Sequence, residues 1–154
     1  MIARPAHLRR LLLALALLAG LAATPPATAE VTTERLSYDH LGDLYYGWVV
    51  QDESLPAPRP AVILFHEWWG LEDFALQEAR ELAELGYVVI CADMYGMTPA
   101  GDNVVADTPQ RAAELSGRLF RDRSWMRGLA TAAYIATTTQ PTVDASRIAT
   151  LGYG

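Results

Sequence analysis

Lysine is absent from this chain: its twelve basic residues are all arginine, set against eighteen acids for a formal net charge of −6. That balance argues against nucleic acid or an anionic membrane as partner, since either needs a basic face. Arginine in place of every lysine reads as coding bias rather than function. Cysteine is nearly absent. Cys91 stands alone, so no intramolecular disulfide can form. Histidine is scarce, with three residues and no metal-ligand spacing, so neither a metal centre nor a cofactor is expected.

A membrane-spanning run is missing too. The longest apolar stretch, residues 11–23, is interrupted by Gly20 and is shorter than the ~20 residues a span needs. Its setting gives it another meaning. Arg4, His7, Arg9 and Arg10 precede it, Thr24-Pro25-Pro26 breaks any helix after it, and Ala27-Thr28-Ala29 follows as an A-x-A cleavage site. Residues 1–29 therefore read as a signal peptide, with export to the periplasm or beyond; the competing reading is an uncleaved anchor. Removing three arginines and no acids would move the charge from −6 to −9. Oligomeric state is not legible.

From residue 30 the pattern is that of an α/β domain. Residues 33–39 and 44–50 alternate and carry aromatic and β-branched side chains, with a turn at residues 40–43, which predicts an antiparallel hairpin. Residues 51–60, with acids and three prolines, read as a surface loop. Residues 61–65 and 87–92 are short unbroken apolar runs, as in parallel strands covered on both faces. Between them a helical period places Leu71, Phe74, Ala75, Ala79, Leu82 and Leu85 on one face, and Gly86 ends it. Residues 98–107, rich in Gly, Pro and Asp, read as a long mobile loop. Thr108-Pro109 opens a helix to about Phe120. Asp122 or Ser124 caps another, with Trp125, Leu129, Ala132, Ala133 and Ala136 inward. A last strand ends at Gly152-Tyr153-Gly154. The expected architecture is a hairpin joined to a three-stranded parallel section, with helices on both faces.

Ligands of such sheets gather at the carboxyl ends of the parallel strands. Three ends carry unusual residues: His66-Glu67-Trp68-Trp69-Gly70, Asp93-Met94-Tyr95-Gly96-Met97 and Gly152-Tyr153-Gly154. In this order and spacing, the blocks around them resemble the dienelactone hydrolase family of α/β-hydrolases, over essentially all of residues 30–154. The resemblance implies a Cys–His–Asp triad that cleaves small-molecule esters or lactones through an acyl-enzyme, its oxyanion held by backbone N–H groups. It implies that Glu67 is the accessory carboxylate facing the nucleophile and that the Trp68 N–H is an oxyanion donor. The nucleophile position falls on Gly154, where the pattern Gly-x-nucleophile-x-Gly has its third residue. The family's triad Asp and His lie beyond residue 154. Tyr95 is followed by Gly96 and Met97, not by the family's substrate-binding Arg. The chain thus reads as the N-terminal part of such a domain, truncated at the nucleophile elbow and inactive alone.

Each residue has a plainer reading. Glu67 is either functional or a solvated acid. His66 reads as structural, lining the oxyanion loop. Cys91 reads as an inert core thiol, and Asp93 as a loop-fixing residue. Trp68 and Trp69 either line a pocket or cover the core. Asp102, Asn103 and Asp107 lack EF-hand spacing and read as solvated. Two rivals to the hydrolase remain: a binding protein on a hydrolase scaffold, where Gly154 marks a retired nucleophile, and a dinucleotide-binding domain. The second lacks a third glycine and a following helix.

Overall fold

The computed structural model describes residues 30–153. Residues 1–29 and Gly154 lie outside the described residues, so the signal-peptide reading and the nucleophile position do too. Five strands and three helices follow in the order β1 (Val31–His40), β2 (Asp43–Asp52), β3 (Arg59–Phe65), α1 (Asp73–Glu84), β4 (Val88–Ala92), α2 (Pro109–Arg121), α3 (Arg123–Thr138) and β5 (Val143–Gly152). They form one sheet of order β1-β2-β4-β3-β5. β1 and β2 make the antiparallel hairpin, and β4, β3 and β5 run parallel. The join is an antiparallel β2–β4 pairing, Trp48 opposite Cys91. Gly47 makes that join possible, because a Cβ there would lie 2.3 Å from the Cys91 carbonyl oxygen.

Alternation along the strands divides the core into two layers. Val49, Ile63 and Ile90 face α3, where Leu129 and Ala133 meet them. Val50, Leu64 and Cys91 face α1. The inner face of α1 differs from the expected one. Ala75, Ala79 and Ala83 are buried, while Phe74 and Leu85 stand out at 43% and 75% exposure. Small side chains at i, i+4 spacing bring the helix close to the sheet, and the larger apolar residues flank that contact. Cys91 is buried beneath it, as expected of a core thiol.

The predicted loop at residues 51–60 is shorter than its prolines suggest. β2 continues to Asp52 and β3 starts at Arg59. Arg59 is 7% exposed because its guanidinium has backbone and side-chain acceptors: Nη1 donates to the Asp52 carbonyl at 2.8 Å and Nη2 to Gln51 Oε1 at 3.0 Å. A buried charge is tolerated where such partners exist. Thr108 caps its helix by accepting from the Arg111 N–H, and of the two candidates Asp122 and Ser124 it is Asp122 that caps the next, accepting from the Trp125 N–H. The stretch predicted as mobile is tethered at several points. Gly70 pairs with Val105 and Met97 with Asn103, the Asn103 amide donates to the Tyr46 carbonyl at 2.6 Å, and Arg35 donates to the Gly101 carbonyl.

Candidate functional site

The carboxyl ends of β3, β4 and β5 lie side by side, because the three strands are neighbours in register. Phe65, the last residue of β3, stands opposite Ala92 on one side and Gly152 on the other. The three predicted loops are thereby brought together. They border a cavity of about 360 Å³. His66, Glu67, Trp68, Met94, Tyr95 and Tyr153 supply the sheet side, and α2 and α3 close the other with Phe120, Met126 and Arg127.

The loop after β3 turns sharply at residues 67–70, where the Gly70 N–H donates to the Glu67 carbonyl at 3.1 Å. Gly70 has φ +108, and a Cβ would meet the Val104 carbonyl oxygen at 2.9 Å, so only glycine fits this turn. The two tryptophans part company here. Trp68 borders the cavity at 39% exposure, whereas Trp69 packs on Ala106, Ala112 and Leu115 beneath the following loop. One lines the pocket and the other covers the core. Glu67 is half-buried, borders the cavity, and makes no ion pair or hydrogen bond through its carboxylate among the described residues. The Trp68 N–H likewise has no hydrogen-bond partner among them.

The loop after β4 is built on Asp93, which is completely buried. Its Oδ1 accepts from the Tyr95 N–H at 2.9 Å and its Oδ2 from the Gly96 N–H at 3.0 Å. Burial nevertheless dominates and pushes its carboxyl up from 3.8 to about 6. Tyr38, reaching over from β1, donates its hydroxyl to the Asp93 carbonyl at 2.5 Å. Asp93 is the loop-fixing residue that its sequence position suggests. The Tyr95 hydroxyl donates to the Trp68 carbonyl at 3.0 Å, so the first loop hangs partly on the second.

At the third end Tyr153 follows β5. Its N–H donates to the Phe65 carbonyl at 3.3 Å, and its hydroxyl donates to Glu78 Oε2 on α1 at 2.5 Å. That bond to Glu78 pushes the phenol up to about 12. Gly152 is still in the strand, so the turn predicted there begins no earlier than Tyr153. Cys91 sits on the α1 side of the sheet, its thiol pushed up to about 12 by burial. Asn103 donates to the Tyr46 carbonyl and its side chain also favours the Asp93 carboxylate, against the larger effect of burial, while Asp102 and Asp107 are exposed.

Several lining residues carried no local signal. Met126 and Arg127 reach the cavity only because α3 packs across the sheet, which periodicity does not encode. Arg127 is exposed at the rim and forms no ion pair among the described residues. Tyr95 belongs to the Asp93-Met94-Tyr95-Gly96-Met97 strand end, yet its link to Trp68 spans 27 residues.

The comparisons with known proteins agree with this architecture. A family model described as the dienelactone hydrolase family matches residues 47–154. A dienelactone hydrolase-like promiscuous phosphotriesterase from metagenomic libraries superposes with a TM-score of 0.72 at 36% identity, over 82% of this chain and 50% of that one. A Klebsiella pneumoniae protein described as a candidate dienelactone hydrolase gives 0.64 at 22% identity, over 80% of this chain and 50% of its own, a likeness of fold. An Aquifex aeolicus protein described as a candidate carboxymethylenebutenolidase is 38% identical over 68 residues, 42% of this chain and 26% of that protein. The chain thus spans about half the length of the solved structures and about a quarter of the curated relative.

Proposed function

The chain belongs to the dienelactone hydrolase family, and from that premise we propose that the protein hydrolyses carboxylic ester or lactone bonds of small molecules. The observation that carries this is the juxtaposition of Glu67 and Trp68 on a mostly apolar cavity at the carboxyl ends of β3 and β4. In this reading the unpartnered Trp68 N–H donates to the developing oxyanion, a role worth roughly 3–4 kcal/mol per donor in acyl transfer. The family resemblance gives Glu67 control over a nucleophile at the elbow; that position falls on Gly154 here, which carries no nucleophilic side chain. Trp68, Phe120 and Met126 hold the apolar part of the substrate, and Arg127 meets any anionic substituent at the rim.

Residues 30–153 supply half of such a site. Cys91 is on the wrong side of the sheet. Ser116 borders the cavity, but its hydroxyl is bonded back to the Ala112 carbonyl at 2.8 Å and makes no hydrogen bond to a histidine among the described residues. We therefore propose that residues 1–154 alone do not turn over esters. The test is p-nitrophenyl ester hydrolysis by the purified 154-residue chain and by the product of the full reading frame. Activity in the second and not the first supports both statements. Turnover by the first that is lost on Glu67→Gln refutes the inactivity. No turnover of esters or lactones by either favours the second reading, a binding protein on a hydrolase scaffold, for which the cavity without a nucleophile–base pair among the described residues is the support. The proposed compartment is outside the cytoplasm, on the strength of residues 1–29.

A further inference from the structure

We infer that His66 is a positioning residue: its imidazole, held in one tautomer, fixes the peptide that carries the Trp68 N–H and ties the loop after β3 to the loop after β4. What that N–H would hold rests on the acyl-transfer reading above; its direction rests on geometry.

The Glu67 carbonyl and the Trp68 N–H belong to one peptide unit. That unit is planar and trans, so the two groups point in opposite directions, and fixing one fixes the other. The Glu67 oxygen is gripped twice, by His66 Nδ1 at 2.7 Å and by the Gly70 N–H at 3.1 Å. Both pull the carbonyl to one side. The Trp68 N–H is left aimed the other way, without a partner among the described residues. The Trp68 carbonyl is held separately by the Tyr95 hydroxyl at 3.0 Å.

The other ring nitrogen decides the tautomer. Met94 N–H lies 3.1 Å from His66 Nε2. A backbone N–H can only donate and a carbonyl can only accept, so Nε2 must present its lone pair and Nδ1 must carry the hydrogen. A ring protonated at Nε2 would set two N–H groups against each other at Met94. His66 is 8% exposed and packs edge-on against Tyr95, ring centroids 4.7 Å apart. Burial lowers its pKa from the ordinary 6.5, in keeping with a neutral ring. The imidazole therefore works as a two-pronged peg: one prong sets a peptide of the β3 loop, and the other seats on the first residue after Asp93.

Two-bond ¹H–¹⁵N correlation spectra of the ¹⁵N-labelled chain test this without reference to turnover. The expected result is an Nδ1–H, neutral His66 ring at about pH 8, with any titration displaced below the ordinary 6.5. An Nε2–H ring, or a His66 that titrates near the ordinary 6.5, would overturn the inference. Two variants then separate the prongs. His66→Asn places an amide nitrogen where Nδ1 stands and keeps the hold on Glu67; His66→Gln places an oxygen near Nε2 and keeps the hold on Met94. The Trp68 amide should keep its chemical shift in His66→Asn and change it in His66→Gln, where the Gly70 N–H on the same Glu67 carbonyl should also exchange about tenfold faster, with Met94 responding in the opposite order. A simple packing role would disturb both amides alike in both variants, and that pattern would also overturn the inference. If neither variant folds, the tautomer of the parent chain still decides. Should the spectra come out as expected while no protein form cleaves esters, the acyl-transfer reading fails and the positioning role stands.

Discussion

Replacing Asp93 by Asn should destabilise the protein more in acid than at neutral pH, which reverses the usual behaviour of a hydrogen-bonded carboxylate. The carboxyl is completely buried, and burial raises it from 3.8 to about 6 although two backbone N–H groups point at it. A folded-state pKa above the unfolded one means that the native protein binds the proton more tightly. The resulting stability is fully present below the unfolded value of 3.8 and is lost as pH rises through about 6. Between about pH 5 and about pH 7.5 this linkage amounts to about 1.4 kcal/mol in favour of the acidic side, or roughly 5 °C in Tm for a domain this size. Asn cannot titrate. It also turns an NH₂ toward one of the two backbone donors, which adds a pH-independent cost of roughly 1–3 kcal/mol. The opposing slope from His66, whose depressed pKa makes acidification below 6.5 unfavourable, is common to parent and variant and cancels in their difference. Thermal or urea unfolding of both proteins at the two pH values measures that difference. A penalty equal at both pH values within about 0.3 kcal/mol, or larger at neutral pH, would mean that Asp93 is stabilised as the anion and that hydrogen bonding, not burial, governs it.

Three further perturbations have definite outcomes. Gly47→Ala sets a Cβ against the Cys91 carbonyl oxygen at 2.3 Å, a clash with backbone that no side-chain movement relieves, so urea unfolding should show a loss of more than ~3 kcal/mol; a loss below about 1 kcal/mol would mean the β2–β4 join yields easily. Tyr38→Phe removes the buried hydroxyl that donates to the Asp93 carbonyl, and should cost about 1–2 kcal/mol while speeding hydrogen exchange in the loop after β4. Unchanged exchange there would disconnect the hairpin from the site. Cys91 should resist a thiol-specific reagent in the native chain and react at once in denaturant, because its thiol is buried and pushed up to about 12. Rapid native labelling would show that α1 lifts from the sheet.

The sequence announced the elements well where one rule governed them. Alternation marked the hairpin, unbroken apolar runs marked β3 and β4, Thr108 marked one helix start, and the pair Asp122 and Ser124 marked the next. It misled where two rules competed. The prolines of residues 51–60 suggested a loop, yet Arg59 enters the sheet because Asp52 and Gln51 supply acceptors that no local window reveals. Phe74 and Leu85 fitted the helical stripe, yet the close approach to the sheet belongs to three alanines. The candidate site was half legible. Glu67 and Trp68 stood out by their place after a buried strand. The far wall of the cavity could not be foreseen, since Met126 and Arg127 arrive on a helix placed by tertiary packing. The double role of His66 depends on two backbone groups, one adjacent in sequence and one 28 residues away.

The antiparallel join has a consequence for how the chain is made. β2 does not pair with β3, which follows it, but with β4. About 35 residues separate the end of β2 from the start of β4. At ribosomal rates of about 5–20 residues per second, the inner edge of the finished hairpin waits roughly 2–7 seconds for its partner. Through that interval Val49 and Val50 stand on an open, apolar edge beside unfilled backbone donors and acceptors. The hairpin's inner edge is thus closed only after β3, its following loop and α1 have all been made.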